Sequence, residues 1–413
     1  MRRLWIVLLV AVACGRAQAQ PAITPLAVAV SPSATTAPSA SPTPTAASQS
    51  PSPGQSPNPT PSPAPSPQPS TSATLLFAAL EAKGTSNPSW NTLAIAGLDG
   101  YAKAKTTFTP MALPYVGCAG PVLPTSAQVA AGKVFFADGT GVVRSLSVTG
   151  QVAQVATFPL TSSQQMLSFA VSPDGGQILA SIFTIPPKPA TGDPCSNPTA
   201  PIFAPGYFSV DVFSATPGSA GRLIDHQTFP ESSSSMPMPM ELLGWDQVGP
   251  VGTNPTAWAT QGGGPAHYHG TPVRIDATTG KVLNPISDPS CSVWDLAPNG
   301  DYVCTPQNAD ISVRHPNGSE VWHVAGQPNA GYYFAFLSPD EQHLVALGTG
   351  SEVLGHDGTD VKLPDSFYHD GWLDSSTVIG GGFNTNLNYV SLSAPSTVVD
   401  IGFKGLFIGT VRP

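Results

Sequence analysis

The 413-residue sequence predicts an all-β domain of repeated four-stranded units behind a Pro-rich tether. Three observations carry this. The composition, 47 Pro and 40 Gly with only 10% charged residues, suits short strands joined by many turns. Long helices would want Ala, Leu, Glu and Lys instead. Phe169 to Phe183 reads F-A-V-S-P-D-G-G-Q-I-L-A-S-I-F, two apolar runs about a Ser-Pro-Asp-Gly reversal. There Pro173 sets φ and Gly175 tolerates a positive φ. A hairpin apolar on both strands is not stable alone, and hairpins of the same kind recur along the chain.

The amino terminus precedes that domain. Met1-Arg2-Arg3 is a short positive segment and Leu4 to Ala13 an apolar run of 10 residues, which is the pattern of a secretory signal and too short to span a bilayer. Two processing sites compete within residues 1–19. Ala11-Val12-Ala13-Cys14-Gly15 resembles the lipobox of bacterial lipoproteins, which implies lipidation at Cys14, although that family prefers Leu where Ala11 stands. The alternative is cleavage after Ala17-Gln18-Ala19. A twin-Arg signal is the weakest reading, because Arg2-Arg3 lacks the usual flanks.

Residues 20–72 form the linker. From Pro21 to Ser72 there are 15 prolines and no charged residue, too little bulky apolar surface for a core, so the segment is expected to be disordered. Polyproline stretches rise about 3.1 Å per residue, so such a tether reaches on the order of 100 Å.

From residue 73 to 413 strand-like runs alternate with turns of two kinds. Inner turns follow Phe169, Trp294 (W-D-L-A-P-N-G) and Phe336 (F-L-S-P-D), with degenerate versions at Trp245-Asp246-Gln247-Val248-Gly249, Trp372-Leu373-Asp374-Ser375-Ser376 and Ala130-Ala131-Gly132-Lys133. Outer turns fall at Asp99-Gly100, Thr149-Gly150, Pro217-Gly218, Thr279-Gly280, Asn317-Gly318, Asp357-Gly358 and Pro395-Ser396. Seven outer turns over this region give about 49 residues per unit, in the range of propeller blades. The expected architecture is therefore a seven-bladed β-propeller, with six or eight blades as alternatives and a pair of β-sandwiches as the rival. Only six inner turns are visible. Leu406 to Val411 is left as an orphan strand and Thr74 to Leu80 opens the first unit, so the last strand is expected to complete the first blade.

Ser172-Pro173-Asp174-Gly175 and Ser338-Pro339-Asp340, each followed by an apolar strand and a later Asp/Asn-Gly turn, resemble the TolB-type and WD40-like propeller repeats of bacterial envelope proteins. Three units carry the motif well and four poorly, and the Gly-His and terminal Trp-Asp marks of WD40 blades are missing. The resemblance implies a fold and a broad binding role, with no substrate.

Besides Cys14 the chain holds Cys118, Cys195, Cys291 and Cys304, an even number that in an exported protein favours disulfides, with three possible connectivities. Cys291 and Cys304 flank one inner turn almost equally and Cys118 and Cys195 both lie among Gly and Pro, so the favoured pairing is 291–304 with 118–195. Sixteen basic residues stand against 25 acidic ones. Three of the basic residues precede position 20, which leaves the remainder at −12, a balance that a nucleic-acid backbone repels.

Candidate sites are few. His267 and His269, alternate residues of H-Y-H, would share one face of a strand and reach one metal, but no third ligand is identifiable and an exposed polar loop is the commoner meaning. Tyr368, His369 and Asp370, with Asp365 and Asp374 nearby, offer a His beside carboxylates as a general-base or binding candidate; a loop with surface hydrogen bonds is the plainer reading. Glu231 to Met240 and Ile185 to Pro205 interrupt the rhythm as insertions. No cofactor motif stands out, and no catalytic residue is assigned. The expectation is a binding or scaffolding module outside the cytoplasm, held to the outer face of the membrane by its lipid or else secreted. It would engage an envelope protein or cell-surface ligand. The alternative is a propeller-type hydrolase or lactonase with a polar site at the central channel.

Overall fold

The computed structural model describes residues 75–81, 91–112, 114–115, 127–191, 203–230, 240–253, 272–287, 291–306, 310–324, 334–348, 350–381 and 385–412. The signal segment, Cys14 and the linker lie outside these residues, as do Cys118, Cys195, His267 and His269.

All regular elements among the described residues are strands, arranged as successive antiparallel meanders. β1 (Leu76–Glu81), β2 (Thr92–Gly97) and β3 (Ala102–Thr107) open the order. β4 (Ala127–Ala130), β5 (Lys133–Ala137), β6 (Val142–Leu146) and β7 (Val152–Thr157) form the next unit, and β8 (Gln165–Val171), β9 (Ile178–Thr184), β10 (Tyr207–Ala215), the two-residue β11 (Ser219–Ala220) and β12 (Arg222–Pro230) follow. β13 (Leu242–Trp245), β14 (Pro250–Thr253), β15 (Pro272–Ile275) and β16 (Val282–Pro285) make a further unit. So do β17 (Cys291–Leu296), β18 (Tyr302–Pro306), β19 (Ile311–Arg314) and β20 (Glu320–Val324), then β21 (Phe334–Leu337), β22 (His343–Leu347), β23 (Ser351–Gly355) and β24 (Asp360–Lys362). β25 (His369–Asp374), β26 (Thr377–Gly381), β27 (Asn386–Ser391) and the 13-residue β28 (Val399–Val411) end the chain.

β28 has two partners. Asp400 and Lys404 pair with β27, while Gly405 to Val411 pair with β1, so a single strand is the outer edge of the last unit and the inner edge of the first. The expected closure is thus present in its pairing. The sequence predicts an isolated strand from Leu406, whereas the strand begins at Val399 with no loop between its two roles.

Each buried cluster draws on two consecutive units. Leu93 and Ile95 join Val134 and Phe136; Val143 joins Leu167 and Phe169; Phe208 and Val210 join Leu242 and Val273. Val251 joins Val293 and Tyr302, and Val303 and Val313 join Leu344 and Ala346. Val345 and Val353 join Trp372 and Val378, and Leu373 and Ile379 return to Phe77 and Ala94. A fully buried Phe or Leu contributes about 1.5–3 kcal/mol, so these joints carry much of the stability. A circuit of meanders packed face to face that ends on its own first member is the β-propeller class of fold.

The turns that the sequence marks fall on two connections of each unit. Those between first and second strands (β8 to β9, β17 to β18, β21 to β22) and those between third and fourth strands all lie at one end of the sheets, here the turn end. In the Phe169 hairpin, Gly175 N–H donates to the Ser172 carbonyl at 2.8 Å, with Gly175 at φ +72°. The remaining connections leave the opposite strand ends, here the loop end.

Candidate functional site

The inner strands of a propeller surround its axis, and polar groups there decide whether the axis can do chemistry. In this chain several of those groups are turned onto neighbouring backbone. Gln128 of β4 donates to the Phe169 carbonyl at 2.7 Å and accepts from Val171 N–H, both on β8. Ser168 of β8 accepts from Leu242 N–H of β13 at 2.7 Å. Asp295 of β17 accepts from Leu337 N–H of β21 at 2.8 Å, and Trp372 of β25 donates to the Phe336 carbonyl at 2.9 Å. Thr410 of β28 lies 3.1 Å from the carbonyls of Trp372 and Leu373. Such contacts satisfy buried groups and pin one unit to the next.

Two inner-strand carboxyls titrate far from the ordinary range. Burial pushes Asp295 up to about 7, against the opposing effect of the Leu337 and Leu296 amides. Burial alone pushes Asp370 of β25 up to about 7. A displaced carboxyl of this kind is the signature that acid–base sites share with buried structural acids.

The three neighbouring candidates do not converge. Tyr368 is 61% exposed, whereas His369 is buried, with Nδ1 3.0 Å from Ser351 Oγ and its ring edge-on to Phe336. The surface loop expected for His369 is instead the start of an inner strand, because Phe336 and Ser351 of the preceding unit cover the imidazole. Asp374 caps its own turn through Ser376. Among the described residues no group of three or more His, Cys, Asp or Glu side chains is placed to hold a metal ion.

Cys291 and Cys304 form the disulfide read from the sequence, with Cα atoms 5.3 Å apart. Cys304 pairs in register with Val293, so the bridge runs diagonally across the β17–β18 ladder.

An aromatic cluster packs at the loop end, beside the β8–β10 unit. Tyr115 N–H donates to Gln164 Oε1 at 2.9 Å, and Gln164 Nε2 donates to the Pro186 carbonyl at 3.3 Å. The Tyr115 ring meets Phe203 edge-on at 5.8 Å and carries the Lys188 ammonium 5.7 Å from its centroid. Phe203 in turn packs on Phe208. A cavity of about 270 Å³ opens nearby, with Met111 and Leu160 as its apolar lining and Thr161, Ser162 and Gln165 as its polar lining. Tyr207, 69% exposed at the start of β10, and Tyr368 stand at the same end. The sequence signalled the Ile185 to Pro205 insertion but not the Tyr115–Phe203 contact, whose residues are 88 positions apart.

These sheets and joints define a β-propeller-type domain. No family model matches the sequence, and no curated protein matches it. Solved structures similar to it include the Dos1 propeller, at 11% identity and TM-score 0.41, with 82% of this chain and 86% of that chain covered. The C-terminal WD40 domain of Sif2 is similar at 11% identity and TM-score 0.38, covering 71% and 76%. An oligogalacturonate lyase in complex with manganese is similar at 9% identity and TM-score 0.43, covering 74% and 86%.

Proposed function

We propose that this chain is an exported, lipid-anchored, seven-bladed β-propeller whose loop end binds an envelope protein or a cell-surface ligand. The blade count is supported by the strand groups that meet at β28 and by the apolar joints that return from Leu373 and Ile379 to Phe77. The TolB-type and lipoprotein resemblances support a place outside the membrane, at the end of a Pro-rich stalk.

One observation carries the binding role. Gln128, Ser168, Asp295 and Thr410 of the inner strands are committed to inter-strand bonds, while exposed Tyr207 and Tyr368 and the Tyr115–Phe203 cluster sit at the loop end. Aromatic side chains presented on a rigid frame are what protein interfaces use as anchors. The test is site-specific photocrosslinking in intact envelopes. A crosslinker at Tyr207 or Tyr368 should capture a discrete partner, and one at Tyr101, 72% exposed next to the outer turn at Gly100, should not. Equal capture from both ends, or none from the loop end, rejects this reading.

The hydrolase reading is favoured by the raised titration of Asp370 on an inner strand, which suits a general acid or base near neutral pH. Hydrolysis of a lactone or ester that disappears in Asp370→Asn would establish it.

A further inference from the structure

The joint between the β17–β20 and β21–β24 units is crossed both at its inner strands and at its turn end. Inner-strand bonds at other joints are made by Gln128, Ser168, Trp372 and Thr410, and the next joint adds His369 to Ser351 and Asp340 to Ser375. Here the crossing groups are carboxyls. Asp295 reaches from β17 to Leu337 N–H on β21. At the turn end, Glu341 of the β21–β22 turn accepts from Asn299 Nδ2 of the β17–β18 turn at 3.2 Å and hydrogen-bonds Asp301 beside it. Asp301 is buried and lies 3.0 Å from His315 Nδ1 of the β19–β20 turn. Trp322 of β20 closes the cluster by donating to the Glu341 carbonyl at 3.1 Å.

Glu341 occupies a position where its repeat partner is glycine. In the Ser172-Pro173-Asp174-Gly175 turn, Ser172 Oγ donates to Asp174 at 2.6 Å and accepts from Gln177 N–H at 2.9 Å. Ser338 makes the same two bonds, to Asp340 and from His343 N–H, at 2.6 and 2.9 Å. Gly175 stands at φ +72° and Glu341 at φ +61°, a left-handed conformation that costs any residue with a Cβ. A non-glycine residue persists in such a place when its surroundings hold it there, and here they are the carboxyl cluster.

We propose that this joint is a proton-operated seam, closed while Asp295 and Glu341 hold their protons and opened to water between β17 and β21 when they lose them. Two carboxyls in contact can share a proton, but both ionised they repel. An ionised Asp295, only partly exposed, keeps its amide donors yet loses part of the hydration a charge requires. Burial raises Asp295, and burial with Asp301 raises Glu341 against the opposing Asn299 hydrogen bond and His315. The charged groups facing Glu341 are Asp301 and His315 from the adjoining unit, and its own turn adds Asp340, which interacts with His343. Around Asp295 the groups that move its titration are the Leu296 and Leu337 amides. The Cys291–Cys304 bridge holds β17 on β18, so opening would separate units without unravelling the hairpin.

Hydrogen exchange on the full chain at pH 5 and pH 8, corrected for intrinsic rates, tests this with β1 as internal reference. Protection of β21 relative to β1 should fall roughly tenfold or more at pH 8, the factor that one unit of proton affinity represents. Asp295→Asn combined with Glu341→Gln should hold the ratio at its pH 5 value. If the double variant does not fold, each single variant should remove part of the fall. A wild-type ratio that does not change with pH, a fall retained in the double variant, or one reduced by neither single variant overturns the proposal.

Discussion

Val411 lies opposite Leu76, so the final strand of the chain completes the unit that the first described strand opens. Phe77 to Ala79 of β1 are fully buried, and β28 covers them on one side. Deleting residues 405–413 removes that cover and leaves the β1 edge unpaired. The loss should exceed the 5–15 kcal/mol by which a domain is ordinarily stable, so the variant should be unfolded by circular dichroism. Deleting residues 21–60 should leave the melting temperature unchanged. A carboxyl-terminal deletion that melts like the intact protein removes the closure.

The Cys291–Cys304 bridge closes a loop with a sequence separation of 13. In the chain-entropy model a loop of this size gives about 3 kcal/mol, so replacing both cysteines by Ala should lower stability by about that amount in urea unfolding. Cys118 and Cys195 should also be joined. The motive is the contact of Tyr115 with Phe203 and Lys188, which brings the described flanks of both stretches together. A non-reducing peptide map that finds either cysteine alkylated, or linked to Cys291 or Cys304, disproves that pairing.

Gly300 of the β17–β18 turn has φ +94°, and a Cβ there would sit 2.7 Å from Val248 Cγ2 and 3.0 Å from Pro316 Cγ. Gly300→Ala combines a strained backbone with a clash between units. It should cost about 2 kcal/mol or more, read as a lower urea midpoint with an unchanged slope.

Asp370 gives a pH signature whose sign is fixed by its raised titration. Its folded value is about 7 against an ordinary 3.8, so the folded chain holds this proton more tightly than the unfolded one. The stability it contributes is complete below about pH 4 and is lost as pH rises toward 7. Asp370→Asn should therefore melt like the wild type at pH 4 and be more stable at pH 8, by about 1–2 kcal/mol because the residue is only partly buried. Equal melting at both values would show that the carboxyl is hydrated.

Lipidation at Cys14 is tested by mass. The mature chain should begin at Cys14 with acyl groups attached, and Cys14→Ser should release it from membranes, since the several chains of a lipoprotein anchor far more firmly than one. A mature chain beginning at Gln20 rejects the anchor in favour of secretion.

The sequence by itself determined where the chain reverses. Both Ser-Pro-Asp turns, the Ala-Pro-Asn-Gly turn and the Asp/Asn-Gly turns fall between the strands expected of them, because turn chemistry is local: Pro presets φ, Gly accepts the left-handed region, and Asp or Asn bonds its own backbone. The four-stranded units and a closing strand through Leu406 followed from that punctuation. Tertiary structure decided what the turns could not. His369 sits in a polar Tyr-His-Asp string, yet Phe336 and Ser351 bury it from another unit. Gln128, Ser168 and Thr410 look like ordinary strand residues until the next inner strand arrives beside them. Asp295 and Asp370 resemble any strand aspartate, and only the packing that removes their water shifts their titration. The dual pairing of β28 is the same case, since one strand can serve two units only when the fold has brought β1 and the last strand together.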